Sequence, residues 1–276
     1  MKLDFVYIGP DKSGSTWLYN ILAEHPDVFV PIAKDIYFFD RYYHRGLSWY
    51  EKFFKSAPEQ CVVGEISHDY MFDPEAIRRI HQNYPDAKLL TILRNPYEKV
   101  WSQYLFLIRS GITNKPFASA IEEIDELTEK CLYGKYLSKY LKEFDPKKIK
   151  ILFFDNLKKD PKKFAHEIFN FLEIKQDIDL NYYEKTLPAS RPRNFYLAKL
   201  AKKSAILLRE MGLINLLGLV KSNKIVQNLL YQPYKNHDKP KMQPSDYALV
   251  RDLFEEDIAL LEQTLKIDLS HWKRGS

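Results

Sequence analysis

The sequence predicts an α/β fold, a doubly wound parallel sheet flanked by helices, with additional C-terminal helices. Three observations favour it. Short apolar runs typical of buried strands alternate with stretches of helical periodicity. The first such run, Phe5–Ile8, leads directly into a loop of glycines and hydroxyl residues. The chain of 276 residues is 45% hydrophobic, which is enough for a substantial core, and we expect a single domain over 1–276.

The individual elements follow from periodicity and from helix start and stop signals. We expect helices at 15–24, 74–83, 97–109 and 161–172, and strands at 5–8, near 28, near 61, at 88–93 and at 149–154. Residues 173–183 are expected to form a loop. Two basic amphipathic helices should follow over 195–234, broken at Gly212 or Gly218, and a closing helix should occupy 246–266.

The loop after the first strand has the composition of a phosphate-binding loop. Glycines let the backbone curve around an anion, serine and threonine hydroxyls can donate hydrogen bonds to it, and the N-terminus of the next helix presents unpaired N–H groups. The candidate ligand-binding residues here are Lys12, Ser13, Gly14, Ser15, Thr16 and Trp17. A purely structural Gly/Ser turn remains the alternative.

This loop departs from the loop of nucleotide triphosphatases at one position. Ser15 follows Gly14, where the Walker pattern needs a lysine to reach the β and γ phosphates, and the cation comes earlier, at Lys12. The loop therefore suits a ligand with one transferable group on a 5′-phosphate better than a magnesium-bound triphosphate.

A second anion site is predicted after the strand at 88–93. Arg94 ends that strand, Pro96 begins a helix, and Ser102 lies about two turns into it. Ligands of open parallel sheets bind beyond the carboxyl ends of the strands, so we expect Arg94 to face the same crevice as the first loop. A guanidinium with a nearby hydroxyl suits a phosphate monoester.

With these two sites the chain resembles the sulfotransferases that use 3′-phosphoadenosine 5′-phosphosulfate (PAPS) and release adenosine 3′,5′-bisphosphate (PAP). The matching segments, in the family's order, are Lys12–Leu18, His25-Pro26, Lys34–Asp40, Gly64–Tyr70, Arg94–Ser102 and Asp268–Trp272. The resemblance is closest to the bacterial and heparan-type, glycan-modifying branch. It implies a P-loop NTPase-like fold, with the 5′-phosphosulfate at the first loop and the 3′-phosphate at Arg94 and Ser102.

The resemblance also implies catalytic roles. In-line displacement needs a base on the acceptor side and cations on the leaving side, where Lys12 is the natural candidate. Asp35 occupies the position of the family's glutamate base, although a surface pair with Lys34 is the alternative. Glu65 matches the second acidic position, where the lysine that often follows is Ile66. His68 is a rival base or a substrate contact.

Two arginines further along the chain are candidates for late cofactor contacts. Arg191 and Arg193 offer guanidiniums in a proline-stiffened loop, at a place where the family commonly has Lys-Gly-Arg, which is absent here. Generic surface arginines are the alternative. The helical basic segment 195–235 could be a lid over the acceptor pocket, an oligomer contact or a peripheral contact with an anionic membrane, or it could simply present a solvated basic face.

Composition bounds the remaining possibilities. A net charge of +5 is too mild to require nucleic acid, and two cysteines give neither a disulfide nor a metal signature. Without a signal peptide or a membrane-length apolar run we expect a cytoplasmic enzyme that needs no metal. The expected reaction is sulfuryl transfer to a hydroxyl acceptor, a carbohydrate by resemblance, or else a lipid or secondary metabolite. A P-loop kinase or NTPase and a non-catalytic nucleotide-binding module are the alternatives.

Overall fold

A computed structural model describes residues 1–183, 189–235 and 238–273. Its strands are β1 Phe5–Gly9, β2 Val28–Phe29, β3 Val62–Ile66, β4 Lys88–Leu93, β5 Ile149–Phe153, β6 Ser190–Pro192 and β7 Tyr231–Pro233. Its α-helices are α1 Ser15–Glu24, α2 Leu47–Glu51, α3 Pro74–Asn83, α4 Pro96–Arg109, α5 Phe117–Glu123, α6 Glu126–Glu129, α7 Tyr133–Glu143, α8 Phe154–Lys159, α9 Pro161–Leu172, α10 Phe195–Glu210, α11 Ile214–Ser222, α12 Lys224–Leu230, α13 Pro244–Leu265 and α14 Ser270–Lys273.

The chain divides into two compact units, which we describe separately. The first comprises residues 1–95 and 133–186, and the second comprises residues 96–132 and 187–276. The prediction of a single domain over 1–276 stays a prediction. Within the described parts of the chain, no helix is both long and apolar enough to cross a membrane.

The first unit contains a five-stranded sheet in the order β2-β3-β1-β4-β5, with every neighbouring pair parallel. All five residues of β1 are buried, as expected for a strand with neighbours on both sides. The parallel arrangement brings the carboxyl ends of β1, β3 and β4 to one edge of the sheet. The predicted doubly wound α/β fold is therefore confirmed, and this edge is where Gly9, Ile66 and Leu93 end their strands.

The core of this unit lies between the sheet and the helices that cover it. Phe5 and Tyr7 of β1 pack with Leu18 and Leu22 of α1 and with Phe169 of α9. The start of α9 is set by Asp160, whose side chain accepts a hydrogen bond from the Lys163 backbone N–H, and by proline at the first helical position.

The second unit is mainly helical. Its two short strands, β6 and β7, form an antiparallel ladder in which Arg191 pairs with Gln232. Helix α10 contacts α4 and α11, and the long helix α13 contacts α4 and α5. Phe254 of α13 packs edge to face against Tyr97 of α4.

The basic segment differs from its prediction in two ways. It contains three helices instead of two, because Asn223 caps a third one by accepting hydrogen bonds from the N–H groups of Ile225 and Val226. The expected break is at Gly212, whose φ of 78° favours glycine, while Gly218 lies inside α11. Residues 231–233 were predicted to be helical and instead form β7, since they pair with β6. Cys61, predicted inside a strand, lies just before β3.

Candidate functional site

The loop between β1 and α1 bends at two glycines whose backbone conformations residues with side chains rarely adopt. Gly9 has φ of 121°, and a Cβ there would lie 2.3 Å from the carbonyl oxygen of His68. Gly14 has φ of 95° and caps α1, and its Cβ would lie 2.9 Å from Cδ2 of Leu157. The loop therefore packs against His68, just after β3, and against Leu157 of α8. It leads into the N-terminus of the ten-residue helix α1.

Arg94 is tied to this loop. Its Nη1 donates a hydrogen bond of 2.9 Å to the backbone carbonyl of Lys12, and its guanidinium stacks over the ring of Phe154 at 4.7 Å. Lys12 itself is half-buried and adopts φ of 58°, an unusual conformation for a residue with a side chain. The first predicted anion-binding loop and Arg94 of the second predicted site therefore lie together at one edge of the sheet.

A second lysine, Lys34, lies outside this loop in the sequence but contacts the beginning of α1. Lys34 Nζ donates to the hydroxyl of Ser15 at 2.9 Å and to that of Thr16 at 3.4 Å. From the sequence, Lys34 was considered only as a neighbour of Asp35, and its contact with the loop was missed. Since Ser15 and Thr16 open α1, the ammonium of Lys34 adds positive charge at the helix N-terminus, where an anion is already favoured.

Two of the other predicted loop residues are turned inward. The Ser13 hydroxyl is fully buried and donates to the carbonyl of Asp11 at 3.3 Å. The indole of Trp17 lies in the core, where its N–H donates to the carbonyl of Tyr182 at 2.9 Å and its ring meets Phe164 edge to face. The buried ring therefore anchors α1, and the assignment of Trp17 to the cofactor stays a prediction.

Next to the loop, three side chains form a hydrogen-bonded row. The Nδ1 atom of His68 lies 2.8 Å from Oδ1 of Asp35, and its Nε2 atom lies 2.7 Å from the hydroxyl of Tyr37. Lys34 Nζ lies 4.0 Å from the same carboxylate oxygen of Asp35. Asp35 and His68 were candidates from the sequence, whereas Tyr37 was missed, although it lies only two residues after Asp35.

The backbone that carries this row is strained. Asp35 and Tyr37 have φ of 66° and 55°, in the left-handed region that residues with side chains rarely adopt. The segment is held by two hydrogen bonds that it donates. The Asp35 N–H donates to the carbonyl of Ile66, the last residue of β3, and the Tyr37 N–H donates to the hydroxyl of Ser67. Strain of this kind persists only where the surroundings fix it, which makes the segment a candidate functional element.

Glu65 is a buried carboxylate close to the strained segment that carries Asp35 and Tyr37. Only 1% of its surface is exposed, and its carboxylate accepts hydrogen bonds from the hydroxyls of Ser67 at 2.6 Å and of Tyr70 and Tyr50 at 2.7 Å. Burial raises the pKa of Glu65 to about 7, although these three hydroxyls act in the opposite direction. The carboxylate of Glu65 is thus enclosed by three hydroxyls, and its assignment as a catalytic residue stays a prediction.

The hydroxyls held by Glu65 also hold the backbone of residues 37–39. The Ser67 hydroxyl accepts from the N–H of Tyr37, and the Tyr70 hydroxyl accepts from the N–H groups of Phe38 and Phe39 at 2.9 and 3.4 Å. Glu65 therefore acts on the strained segment through two hydroxyls.

Charged groups flank the row on its other side. Arg41 pairs with Asp69 and stacks over the ring of Tyr37 at 4.1 Å. Burial raises the pKa of Asp40 to about 6, with the neighbouring Arg41 lowering it and Asp69 raising it. The aromatic ring of Tyr37 is thereby fixed between an arginine and the imidazole of His68.

The remaining predicted residues lie in the second unit. Ser102 is half-buried on α4. Arg191 and Arg193 are exposed, Arg191 on β6 and Arg193 just after it, and Nε of Arg193 donates to the carbonyl of Asn228 at 2.7 Å. Their assignment to the cofactor stays a prediction.

Comparison with known proteins gives a consistent result. Residues 2–215 match the model of a family described as the sulfotransferase domain. The chain is 34% identical over 140 residues to the membrane-associated sulfotransferase kil1 of Dictyostelium discoideum, which covers 48% of this chain and 30% of that protein.

Two further relatives are heparan sulfate enzymes. The chain is 31% identical over 195 residues to the bifunctional heparan sulfate N-deacetylase/N-sulfotransferase 1 of Caenorhabditis briggsae, covering 62% of this chain and 22% of that protein. It is 28% identical over 205 residues to the human heparan sulfate glucosamine 3-O-sulfotransferase 6, covering 67% of this chain and 60% of that protein. The chain thus spans about a fifth to a third of the length of the first two relatives.

Solved structures show the same fold. A sulfotransferase from Alicyclobacillus acidocaldarius superposes with a TM-score of 0.74 at 21% identity, over 99% of this chain and all of that one. The mouse sulfotransferase SULT7A1, crystallised with PAP, superposes with a TM-score of 0.52 at 16% identity, over 97% of this chain and 90% of that one.

Proposed function

The chain belongs to the sulfotransferase family, and from this premise we propose that it transfers a sulfuryl group from PAPS to a hydroxyl acceptor by in-line displacement. The observation that carries the proposal is the joining of two anion sites at one sheet edge: the Lys12 loop after β1 and Arg94 after β4, linked by the hydrogen bond from Nη1 of Arg94 to the Lys12 carbonyl.

The residues of the first unit fit a donor with a phosphate at each end. The space that a Cβ would fill at Gly9 and Gly14 is taken by neighbouring backbone and side-chain atoms, so the loop packs closely against His68 and Leu157 just before α1 begins. Lys12, Lys34 and the hydroxyls of Ser15 and Thr16 would hold the 5′-phosphosulfate, and Arg94 would hold the 3′-phosphate. PAPS supplies the activated sulfuryl group, and the two lysines stabilise the negative charge that develops on the leaving phosphate.

Asp35 is the residue we assign as general base. Its carboxylate lies 4.0 Å from Lys34 Nζ, next to the loop that would hold the group to be transferred. It would take the proton from the acceptor hydroxyl as the oxygen attacks sulfur.

We assign His68 and Tyr37 as positioning residues. Both ring nitrogens of His68 are engaged, one by Asp35 and the other by the Tyr37 hydroxyl. With Nδ1–H donating to Asp35 and Nε2 accepting from Tyr37, the imidazole orients the carboxylate. This arrangement favours Asp35 over His68 as the base.

Glu65 completes the arrangement as a further positioning residue. It acts through the Ser67 and Tyr70 hydroxyls, which hold the N–H groups of residues 37–39 and with them the strained turn at Asp35.

The acceptor we propose is a carbohydrate hydroxyl, because two of the relatives reported above are named for heparan sulfate. A lipid or a secondary metabolite would need no change in the groups assigned to the donor. We also propose that the protein is cytoplasmic and that its reaction requires no metal. Peripheral contact with a membrane is a further part of the proposal, and one relative is named as membrane-associated.

A labelled-transfer assay tests the proposal. The full chain is incubated with PAPS carrying radioactive sulfate and with a desulfated heparan-type glycan, and the label in the glycan is counted with and without a chelator. In parallel, PAP and ATP are titrated by calorimetry. We expect label transfer that the chelator leaves unchanged, and PAP binding much tighter than ATP binding.

Matched variants make the test specific. Lys12→Ala should abolish transfer, while Lys162→Ala, at an exposed position on α9, should behave as wild type. Tight magnesium-dependent ATP binding without PAP binding would instead support the kinase alternative. PAP binding without transfer to any alcohol would support the non-catalytic module.

A further inference from the structure

Helix α10 exposes many of its large apolar residues. At 3.6 residues per turn, Tyr196, Leu200, Leu207 and Met211 fall on one face, which we call the leucine face, and all four are exposed, Leu200 and Leu207 at 61% each. The opposite face carries Ala198, which is fully buried, the half-buried Ala201 and Ala205, and, in the last turn, the half-buried Leu208 and the buried Arg209. This is the reverse of the usual orientation of an amphipathic helix in a soluble protein.

The orientation is fixed by a close backbone approach within the second unit. A Cβ at Gly111 would lie 2.6 Å from the backbone nitrogen of Lys199 and 2.7 Å from the carbonyl oxygen of Phe195. Only a helix face of small side chains can come this close to its neighbour, so the leucine face of α10 turns outward.

The next two helices continue the exposed apolar surface. In α11 and the residue before it, Leu213, Leu216, Leu219 and Val220 are exposed, and in α12 Ile225 and Leu229 are exposed at i, i+4 spacing. Exposed large apolar residues therefore occur on each of three successive helices, in a density unlike the singly scattered apolar residues of ordinary surfaces.

The same segment holds the entire net charge of the protein. Residues 195–230 contain six lysines and arginines and one acidic residue, Glu210, whereas the rest of the chain carries 36 residues of each sign. Lys199 and Lys203 are exposed and lie beside the apolar face of α10. Leucines flanked by lysines on a helix surface are typical of helices that lie in the interface of an anionic bilayer.

We propose that residues 195–230 form a surface that docks on an anionic lipid membrane, with the leucine face of α10 entering the headgroup region and Lys199 and Lys203 contacting lipid phosphates. The charge selects this occupant over a second copy of the chain, because apposing two such segments would bring two strongly basic surfaces together. The exposed leucines select it over a soluble polyanion, which would satisfy the lysines and leave the leucines in water.

Vesicle co-sedimentation of the full chain tests the proposal. We expect strong binding to vesicles of phosphatidylcholine mixed with phosphatidylglycerol, weak binding to phosphatidylcholine alone, and loss of binding in high salt. Lys199→Gln with Lys203→Gln should weaken binding to the anionic vesicles about 25-fold, at roughly five-fold per lysine. Leu200→Gln with Leu207→Gln should weaken it at least about ten-fold.

Matched controls come from other exposed helix faces. Leu253 and Leu260 of α13 have the same seven-residue spacing and are 41% and 40% exposed, so Leu253→Gln with Leu260→Gln should bind vesicles as wild type does. Lys162→Gln with Lys163→Gln on α9 is the corresponding charge control. PAP affinity should be unchanged in all four double variants, which separates this proposal from the proposed reaction.

Three outcomes would overturn the proposal. The first is equal binding to neutral and anionic vesicles, or to neither. The second is an equal loss of binding in the α13 control. The third is a stable dimer in light scattering, without lipid, that the Leu200→Gln and Leu207→Gln changes dissociate, because the leucine face would then be a contact between copies.

Discussion

The buried carboxyl of Glu65 gives a prediction about stability that can be worked out from the structure. Glu65 is enclosed beneath the strained turn, and burial raises its pKa from the ordinary 4.5 to about 7. An acid with a raised pKa holds its proton more tightly in the folded protein than in the unfolded chain. As the pH rises from 4.5 to 7, the unfolded chain loses this proton first, so the folded state is progressively disfavoured.

The expected size of the effect follows from the two pKa values. The difference between 4.5 and about 7 corresponds to roughly 3 kcal/mol of unfolding free energy, lost between these pH values and constant above them. Glu65→Gln removes the titration. The unfolding free energy of Glu65→Gln minus that of wild type should therefore increase by about 3 kcal/mol from pH 4.5 to pH 7.5.

Urea unfolding measured at intervals across this pH range provides the test. Taking the difference between the two proteins cancels the other titrating groups that the substitution leaves unchanged. Glu59→Gln, at an exposed position, is the control and should follow the wild-type curve. A Glu65→Gln difference that stays constant within about 1 kcal/mol over the whole range would refute the reasoning.

Three further predictions concern the site. Asp35→Asn should lower kcat about 100- to 10,000-fold and leave the Kd for PAP within about two-fold; unchanged turnover in the labelled-transfer assay would remove Asp35 as the base. His68→Ala should lower kcat about ten-fold and should not remove the dependence of turnover on Asp35; a loss as large as that of Asp35→Asn, with no further loss in the double variant, would contradict the assignment of His68 as a positioning residue. Gly14→Ala should weaken PAP binding and lower the unfolding free energy by about 1–3 kcal/mol, since its Cβ would meet Leu157; wild-type values in calorimetry and urea unfolding would contradict the role of this turn.

Much of the first unit could be predicted because its signals are local. Pro161 and the capping side chain of Asp160 define the start of α9 in the sequence itself. Arg94 could be placed beside the Lys12 loop because both follow strands of one parallel sheet, whose carboxyl ends share an edge. These inferences need only periodicity, helix caps and the topology of parallel strands.

The features that were missed depend on distant partners. Nothing near Glu65 in the sequence indicates that Tyr50 would close over its carboxylate, and the contact of Lys34 with Ser15 depends on how the segment after β2 folds back. Periodicity gave α10 an apolar face but not its direction. That direction is set by the close approach of its backbone to Gly111, which lies outside the helix.

In the proposed complex, the Lys12 loop and Arg94 hold opposite ends of one doubly phosphorylated adenosine. Calorimetric Kd values of wild type, Lys12→Ala and Arg94→Ala for PAP and for adenosine 5′-monophosphate test it most directly. We predict that Lys12→Ala weakens both ligands, whereas Arg94→Ala weakens PAP about 10- to 100-fold and leaves the monophosphate nearly unchanged. An equal loss of both ligands in Arg94→Ala would contradict the claim, because Arg94 would then serve only to hold the loop through the Lys12 carbonyl.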